Sequence, residues 1–107
     1  MTEENYIKAV EANKIPEDDV IGVDVNGYNL AVYNVEGEFF ATDNICTHGN
    51  AKLCDGFLDG HRIECPLHQG EFDVRSGKAC TSPLTEDIKA YPTKVGDDGF
   101  IYISMIE

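Results

Sequence analysis

From Val20 onward the chain reads as short apolar runs set apart by two-residue separators: VIGVDV, then YNLAVYNV, then EFFAT, with Asn26-Gly27 and Glu36-Gly37 between them. The runs are rich in β-branched and aromatic side chains. A two-residue hairpin turn of type I′ needs positive φ at both central positions, which Asn-Gly adopts readily and Glu-Gly nearly as well. The pattern therefore predicts a β-meander over residues 20–42. The same texture predicts further strands at residues 6–10, 61–64, 71–74, 88–95 and 100–106, the last two joined by the turn GDDG. Helix is almost absent from the pattern: residues 10–14 suggest one helical turn, which Pro16 ends.

Between about residues 43 and 85 the alternation breaks down. All four cysteines and all three histidines of the chain fall in this stretch, among glycines and short polar loops. It has few large side chains with which to build a core of its own. Something other than burial is expected to organise it.

Length and charge narrow the picture. A chain of 107 residues is one domain, residues 1–107, with room for one modest core and none for a second cofactor-binding unit. Twenty acidic against eight basic side chains give a formal charge of −12, which repels nucleic acid. That charge either keeps the protein soluble or steers fast, weak docking onto basic patches of protein partners. The start, MTEENYIKAVEANK, lacks the basic and apolar regions of a secretory signal. No run of about 18 apolar residues occurs either. The sequence thus predicts a cytoplasmic protein without a membrane segment. In that compartment thiols stay reduced, so four cysteines point to metal or redox chemistry before disulfides.

The cysteines and histidines pair in a particular way. Cys46 and His48 stand two positions apart, Cys65 and His68 three apart, with residues 49–64 between the pairs. Two short loops can bring four such N/S donors onto one metal centre. A tetrahedral zinc accepts two Cys and two His, but zinc modules usually place like ligands on one knuckle. Here each loop carries one of each kind. That mixture suits a two-iron cluster in which one iron takes Cys46 and Cys65 and the other takes His48 and His68. A structural zinc module remains the alternative on ligand count alone.

The segment CTHGNAKLCDG…IECPLHQGEFD resembles the CxH…CxxH signature of Rieske 2Fe-2S proteins. The likeness extends over nearly the whole chain: EGEFFATDNICTHG, DGFLDGHRIECPLHQGEFDVRSGKA and PLTEDIKAYPTKV are similar to the Rieske ferredoxin components of bacterial aromatic-ring-hydroxylating dioxygenase systems, of the naphthalene and biphenyl types. The resemblance implies an all-β Rieske fold: an antiparallel β-sandwich base with a small inserted cluster-binding subdomain, about residues 43–85. It implies one 2Fe-2S cluster held by Cys46, His48, Cys65 and His68, with the histidines near the protein tip. It implies, too, that SPLT, with Pro83, covers the cluster as a third loop.

The implied function is that of a soluble, monomeric ferredoxin. It would take single electrons from an NAD(P)H-dependent flavin reductase and deliver them to a terminal oxygenase. A small Rieske-like subunit of another reductase, of the nitrite reductase type, is the rival from the same superfamily. Catalysis by the chain itself is not expected. A mononuclear iron site would need two further histidines where only His61 is left, and no GxGxxG segment is present to bind a nicotinamide or flavin.

Replacing two thiolates by neutral imidazoles removes negative charge and raises the potential, to about −150 to +300 mV against about −400 mV for plant-type ferredoxins. High-potential relatives of respiratory complexes resemble this chain at the ligands but add a disulfide and two hydroxyl donors. This chain has Ala51 and Leu67 where the cysteines would stand, and Gly70 and Phe72 where the hydroxyls would. A potential near the bottom of the range is expected. Cys54 and Cys80 are read as two thiols rather than a disulfide, His61 as a surface or strand residue, and Gly49 and Gly70 as points where the backbone turns beside the cluster.

Overall fold

A computed structural model describes residues 6–46, 51–66, 70–81 and 86–105. Among the described residues ten strands follow one another: β1 (Tyr6–Glu11), β2 (Asp19–Val25), β3 (Tyr28–Val35), β4 (Glu38–Asp43), β5 (Phe57–Asp59), β6 (Arg62–Glu64), β7 (Glu71–Asp73), β8 (Ala90–Tyr91), β9 (Thr93–Val95) and β10 (Phe100–Ser104). They form three antiparallel sheets, in the orders β2-β3-β4-β8, β1-β10-β9 and β5-β6-β7. Among the described residues no helix is long and apolar enough to cross a membrane.

The meander forms as the sequence predicts, and for the predicted reason. Asn26 and Gly27 have φ of 53° and 86°, Glu36 and Gly37 of 53° and 92°, so both connections have the left-handed backbone that matches strand twist. Tight turns fix the register of β3 between its neighbours, from Val25 opposite Tyr28 to Val35 opposite Glu38.

β3 is buried on both faces. Along it, Leu30 and Val32 enter a core shared with Ile15, Val25, Ala41, Tyr91, Ile101 and Ile103. The alternate residues Ala31, Tyr33 and Val35 enter a second core with Leu53, Ile63, Phe72, Val74 and Ile88. The first core packs the meander sheet against β1-β10-β9; the second packs it against β5-β6-β7. Asn34 is the buried polar residue on the first face. Its side-chain amide donates to the Ile15 carbonyl at 2.8 Å and its oxygen accepts from the Gly37 amide at 2.9 Å, so burial leaves it satisfied.

Two expectations need correction, and one strand was not foreseen. The strand expected over residues 88–95 is two strands, β8 in the meander sheet and β9 in the other. Pro92 stands between them; it has no N–H to give a ladder, while its carbonyl accepts from the Ser104 amide at 2.9 Å. The strand expected over residues 100–106 ends at Ser104, and residues 106–107 lie outside the described residues. β5 was not expected at all, because FLD is three residues long and forms only by pairing with β6. The helical turn is present, as a 3-10 turn over Ala12–Lys14.

Removing volume from the doubly buried strand should cost far more than removing it at an edge. Leu30→Ala is expected to lower stability by about 2–5 kcal/mol. Val95→Ala, at a half-exposed edge position, should change it by about 0.5 kcal/mol or less. Urea denaturation followed by far-ultraviolet circular dichroism measures both.

Candidate metal centre

Two of the four expected ligands fall in the described chain, and both sit at the mouth of a closed loop. After β4 the chain passes Asn44 and Ile45 to Cys46. The Cys46 amide donates to the Ala51 carbonyl at 2.9 Å, Ile45 bridges Lys52, and the Leu53 amide donates to the Asn44 carbonyl at 2.7 Å. This short antiparallel ladder closes a loop whose interior positions include His48. After β6 the Cys65 amide donates to the Gly70 carbonyl at 2.7 Å, extending the β6–β7 ladder past Glu64 and Glu71. That closes a second loop, whose interior positions include His68. His48 and His68 themselves lie outside the described residues.

The two cysteines are drawn into one interior. Cys46 and Cys65 are 2% and 0% exposed and both belong to the core that contains Leu53, Ile63, Phe72 and Tyr33. Tyr33 is the polar member of that group. Its hydroxyl meets the Thr42 hydroxyl at 2.8 Å, Thr42 in turn donates to the Asp43 carbonyl at 2.8 Å, and burial pushes the phenol well above its ordinary range. Among the described residues no three or more Cys, His, Asp or Glu gather as a complete metal site, as follows when half of the expected donor set lies beyond them.

The segment expected to cover the cluster, residues 82–85, is also outside the described chain, but its flanks are tied to the same unit. The Glu71 amide donates to Thr81 Oγ1 at 2.9 Å, the Ala79 amide to Asp87 Oδ1 at 2.8 Å and the Ile88 amide to the Gly77 carbonyl at 2.8 Å. Gly77, at φ 80°, lies against the Ile88 carbonyl where a Cβ would collide. The turn before it is held by Arg75, whose guanidinium grips Asp73 at 3.0 and 2.8 Å while its amide donates to the same carboxylate at 2.8 Å. These bonds hold the Asp73 carboxyl below the usual carboxylate range.

Gly49 and Leu67 also lie outside the described residues, while His61, Cys54 and Cys80 have ordinary roles. His61 packs edge-on against the Phe40 ring at 5.6 Å and its carbonyl accepts from the Val74 amide. Cys54 and Cys80 are thiols and not a disulfide. Sequence reasoning missed two features. Phe57 is 64% exposed and borders a cleft with Asp55, Glu64, Cys65 and Pro66; with β5 unread, nothing marked it. Asn44, at a strand end where Asn is commonplace, also went unmarked.

Comparison with known proteins completes the picture. The family model for the Rieske [2Fe-2S] domain matches residues 5–92. The chain belongs to the Rieske [2Fe-2S] domain family. The chain is 61% identical over 86% of its length to the ferredoxin component of the naphthalene 1,2-dioxygenase/salicylate 5-hydroxylase systems of Ralstonia sp, covering 88% of that protein. A ferredoxin of Sphingomonas yanoikuyae B1 superposes with a TM-score of 0.88 at 42% identity, over 95% of this chain and 100% of the other. A chain from the complex of reduced oxygenase and oxidized ferredoxin in carbazole 1,9a-dioxygenase superposes with a TM-score of 0.86 at 37% identity, over 94% of this chain and 93% of that one.

The Rieske domain's cofactor is a 2Fe-2S cluster, which sets aside the zinc alternative. The described residues fit that group. Two soft thiol donors are withdrawn from water into an apolar core, each fixed by a backbone bond across its loop.

The Asp73–Arg75 contact makes a pH prediction. Because the folded Asp73 pKa is lowered, its stabilisation is complete above the unfolded value of about 3.9 and is lost as pH falls through the lowered folded value. Asp73→Asn should therefore be less stable than the parent at neutral pH, with the difference shrinking as pH falls below about 4. Urea midpoints measured across that range test it.

Proposed function

We propose that this Rieske protein is a cytoplasmic, monomeric ferredoxin that carries single electrons from a flavin-dependent NAD(P)H reductase to a terminal aromatic-ring-hydroxylating oxygenase, using a cluster held by Cys46, His48, Cys65 and His68 in the segment about residues 43–85. The observation that carries this reading is the high identity, over most of both chains, to a ferredoxin component of a naphthalene 1,2-dioxygenase system. Support for the oxygenase as recipient comes from the similarity to a chain solved in a ferredoxin–oxygenase complex.

Bound, the cluster supplies a one-electron site. The protein supplies its surroundings. Cys46 and Cys65 place thiolates in the apolar core, and the loops that contain His48 and His68 carry the imidazoles. Phe72, fully buried in the same core, offers no hydroxyl to a sulfur, and Gly70 has no side chain from which to offer one. A reduced cluster is more negative, so each missing donor leaves it less stabilised, which supports a potential low in the Rieske range. The chain is thus an electron carrier and not the catalyst of ring hydroxylation. Its charge of −12 favours encounter with basic docking faces.

The decisive experiment is visible and electron-paramagnetic-resonance spectroscopy with a redox titration of the purified protein. It is joined to reduction by NADH through the reductase of a naphthalene dioxygenase system. A Rieske signal, a low potential and restored oxygenase turnover are expected; a protein that shows the signal but supports no turnover with such partners would overturn the shuttle. Cys46→Ser, His48→Ala, Cys65→Ser and His68→Ala should each abolish the signal, whereas His61→Ala and Cys80→Ala should retain it. Stopped-flow transfer rates should fall as salt rises past about 0.1 M, where the screening length is about 10 Å; rates indifferent to salt would remove the steering role.

A further inference from the structure

Asn44 is 1% exposed, and all its polar groups are engaged. Its amide N–H donates to the Asn29 carbonyl at 3.1 Å and its carbonyl accepts from Leu53 at 2.7 Å. In the side chain, Oδ1 accepts from the Cys54 amide at 2.9 Å, while Nδ2 donates to Asn29 Oδ1 at 2.7 Å and lies 3.3 Å from Cys54 Sγ. One residue thus joins the start of β3, the end of β4 and the returning limb of the loop that begins at Cys46. Gly22 on β2 makes room for it: a Cβ there would stand 3.1 Å from Asn44 Nδ2 and 3.0 Å from Cys54 Sγ.

The two ligand loops are rooted differently. The Cys65 loop continues a strand ladder, so its root is the β6–β7 pair. The Cys46 loop leaves the end of β4, and its two limbs are joined by the isolated bridge Ile45–Lys52 with the Cys46–Ala51 and Leu53–Asn44 backbone bonds; beyond these, its returning limb is bonded back at Cys54 through the Asn44 side chain. An asparagine does this where smaller polar residues could not. It presents an acceptor and a two-hydrogen donor on one planar group, long enough to reach both Asn29 and Cys54.

We propose that Asn44 is a positioning residue for the cluster, fixing where Cys46 stands relative to Cys65 by clamping the Cys46 loop to β3. The proposal rests on the reading of Cys46 and Cys65 as ligands. Loss of the clamp takes the acceptor from the amide of the half-buried Cys54 and unties the loop from Asn29, which is exposed, and so frees the loop to shift. The cluster is then held by thiolates whose spacing wanders, so it is lost faster and its spectrum broadens.

The test compares Asn44→Ala with Asn34→Ala in the purified holoprotein. Asn34 is a second buried asparagine that bonds two backbone groups, but on the face of the meander sheet away from the cysteines. Both substitutions should lower the thermal midpoint. Only Asn44→Ala should speed cluster loss, by about tenfold or more, broaden the electron-paramagnetic-resonance lines and move the potential. Asn44→Asp, which keeps the acceptor for the Cys54 amide, should restore part of the retention. Equal cluster lifetimes, line shapes and potentials in the Asn44→Ala and Asn34→Ala proteins would overturn the proposal. Absence of a Rieske signal from the parent protein would instead refute the ligand assignment itself.

Discussion

The structure depends on one strand that has no solvent face. From Leu30 to Val35 every residue of β3 is buried, and the two sets of alternating side chains serve different interiors. Such a strand cannot slip by one residue without exchanging Leu30 and Val32 for Ala31 and Tyr33, which would mispack both cores together. The two I′ turns lock that register from either end. Everything else is arranged against β3: one sheet closes the base on one side, and the small sheet, with Cys65 at the end of β6 and Cys46 beside it in the same core, closes the other.

This arrangement places the chemistry on a rigid support. The small sheet has strands of three residues, too short to persist alone. Its inward residues Ile63 and Phe72, with Val74 just after β7, share a core with Tyr33 and Val35 of the base. The cysteines therefore inherit the rigidity of the meander. Only small adjustments of the surrounding protein should accompany the gain or loss of an electron, which suits a carrier that must exchange electrons quickly with unlike partners.

Much of this was legible in the sequence, and the reasons differ by element. The meander was legible because Asn26-Gly27 and Glu36-Gly37 encode turn geometry locally. The expectation of four ligands came from mixed Cys/His pairs at short spacing, which are rare by accident, and the described chain brings two of those residues, Cys46 and Cys65, into one core. The division at Pro92 was not, since FIYIS had to be in place before the two halves of residues 88–95 could be seen to face different partners. β5 was illegible for the same reason, being a product of pairing. Asn44 and Phe57 escaped because their importance lies in what surrounds them: an asparagine at a strand end and a phenylalanine in a short loop look the same whether they clamp a ligand loop, line a cleft beside a cysteine or do neither.

The order of strands also sets an order of assembly on the ribosome. β2, β3 and β4 are neighbours in sequence and can zip as they emerge, and β5, β6 and β7 follow at once beside them. β1 is different: its pairing partner is β10, so it must wait unpaired until almost all the described chain has been made. The half of the molecule that contains Cys46 and Cys65 can thus reach its shape while the base is still open on its far side. Insertion of the cluster during synthesis is compatible with this topology, and the last strand to form seals a domain whose working end is already built.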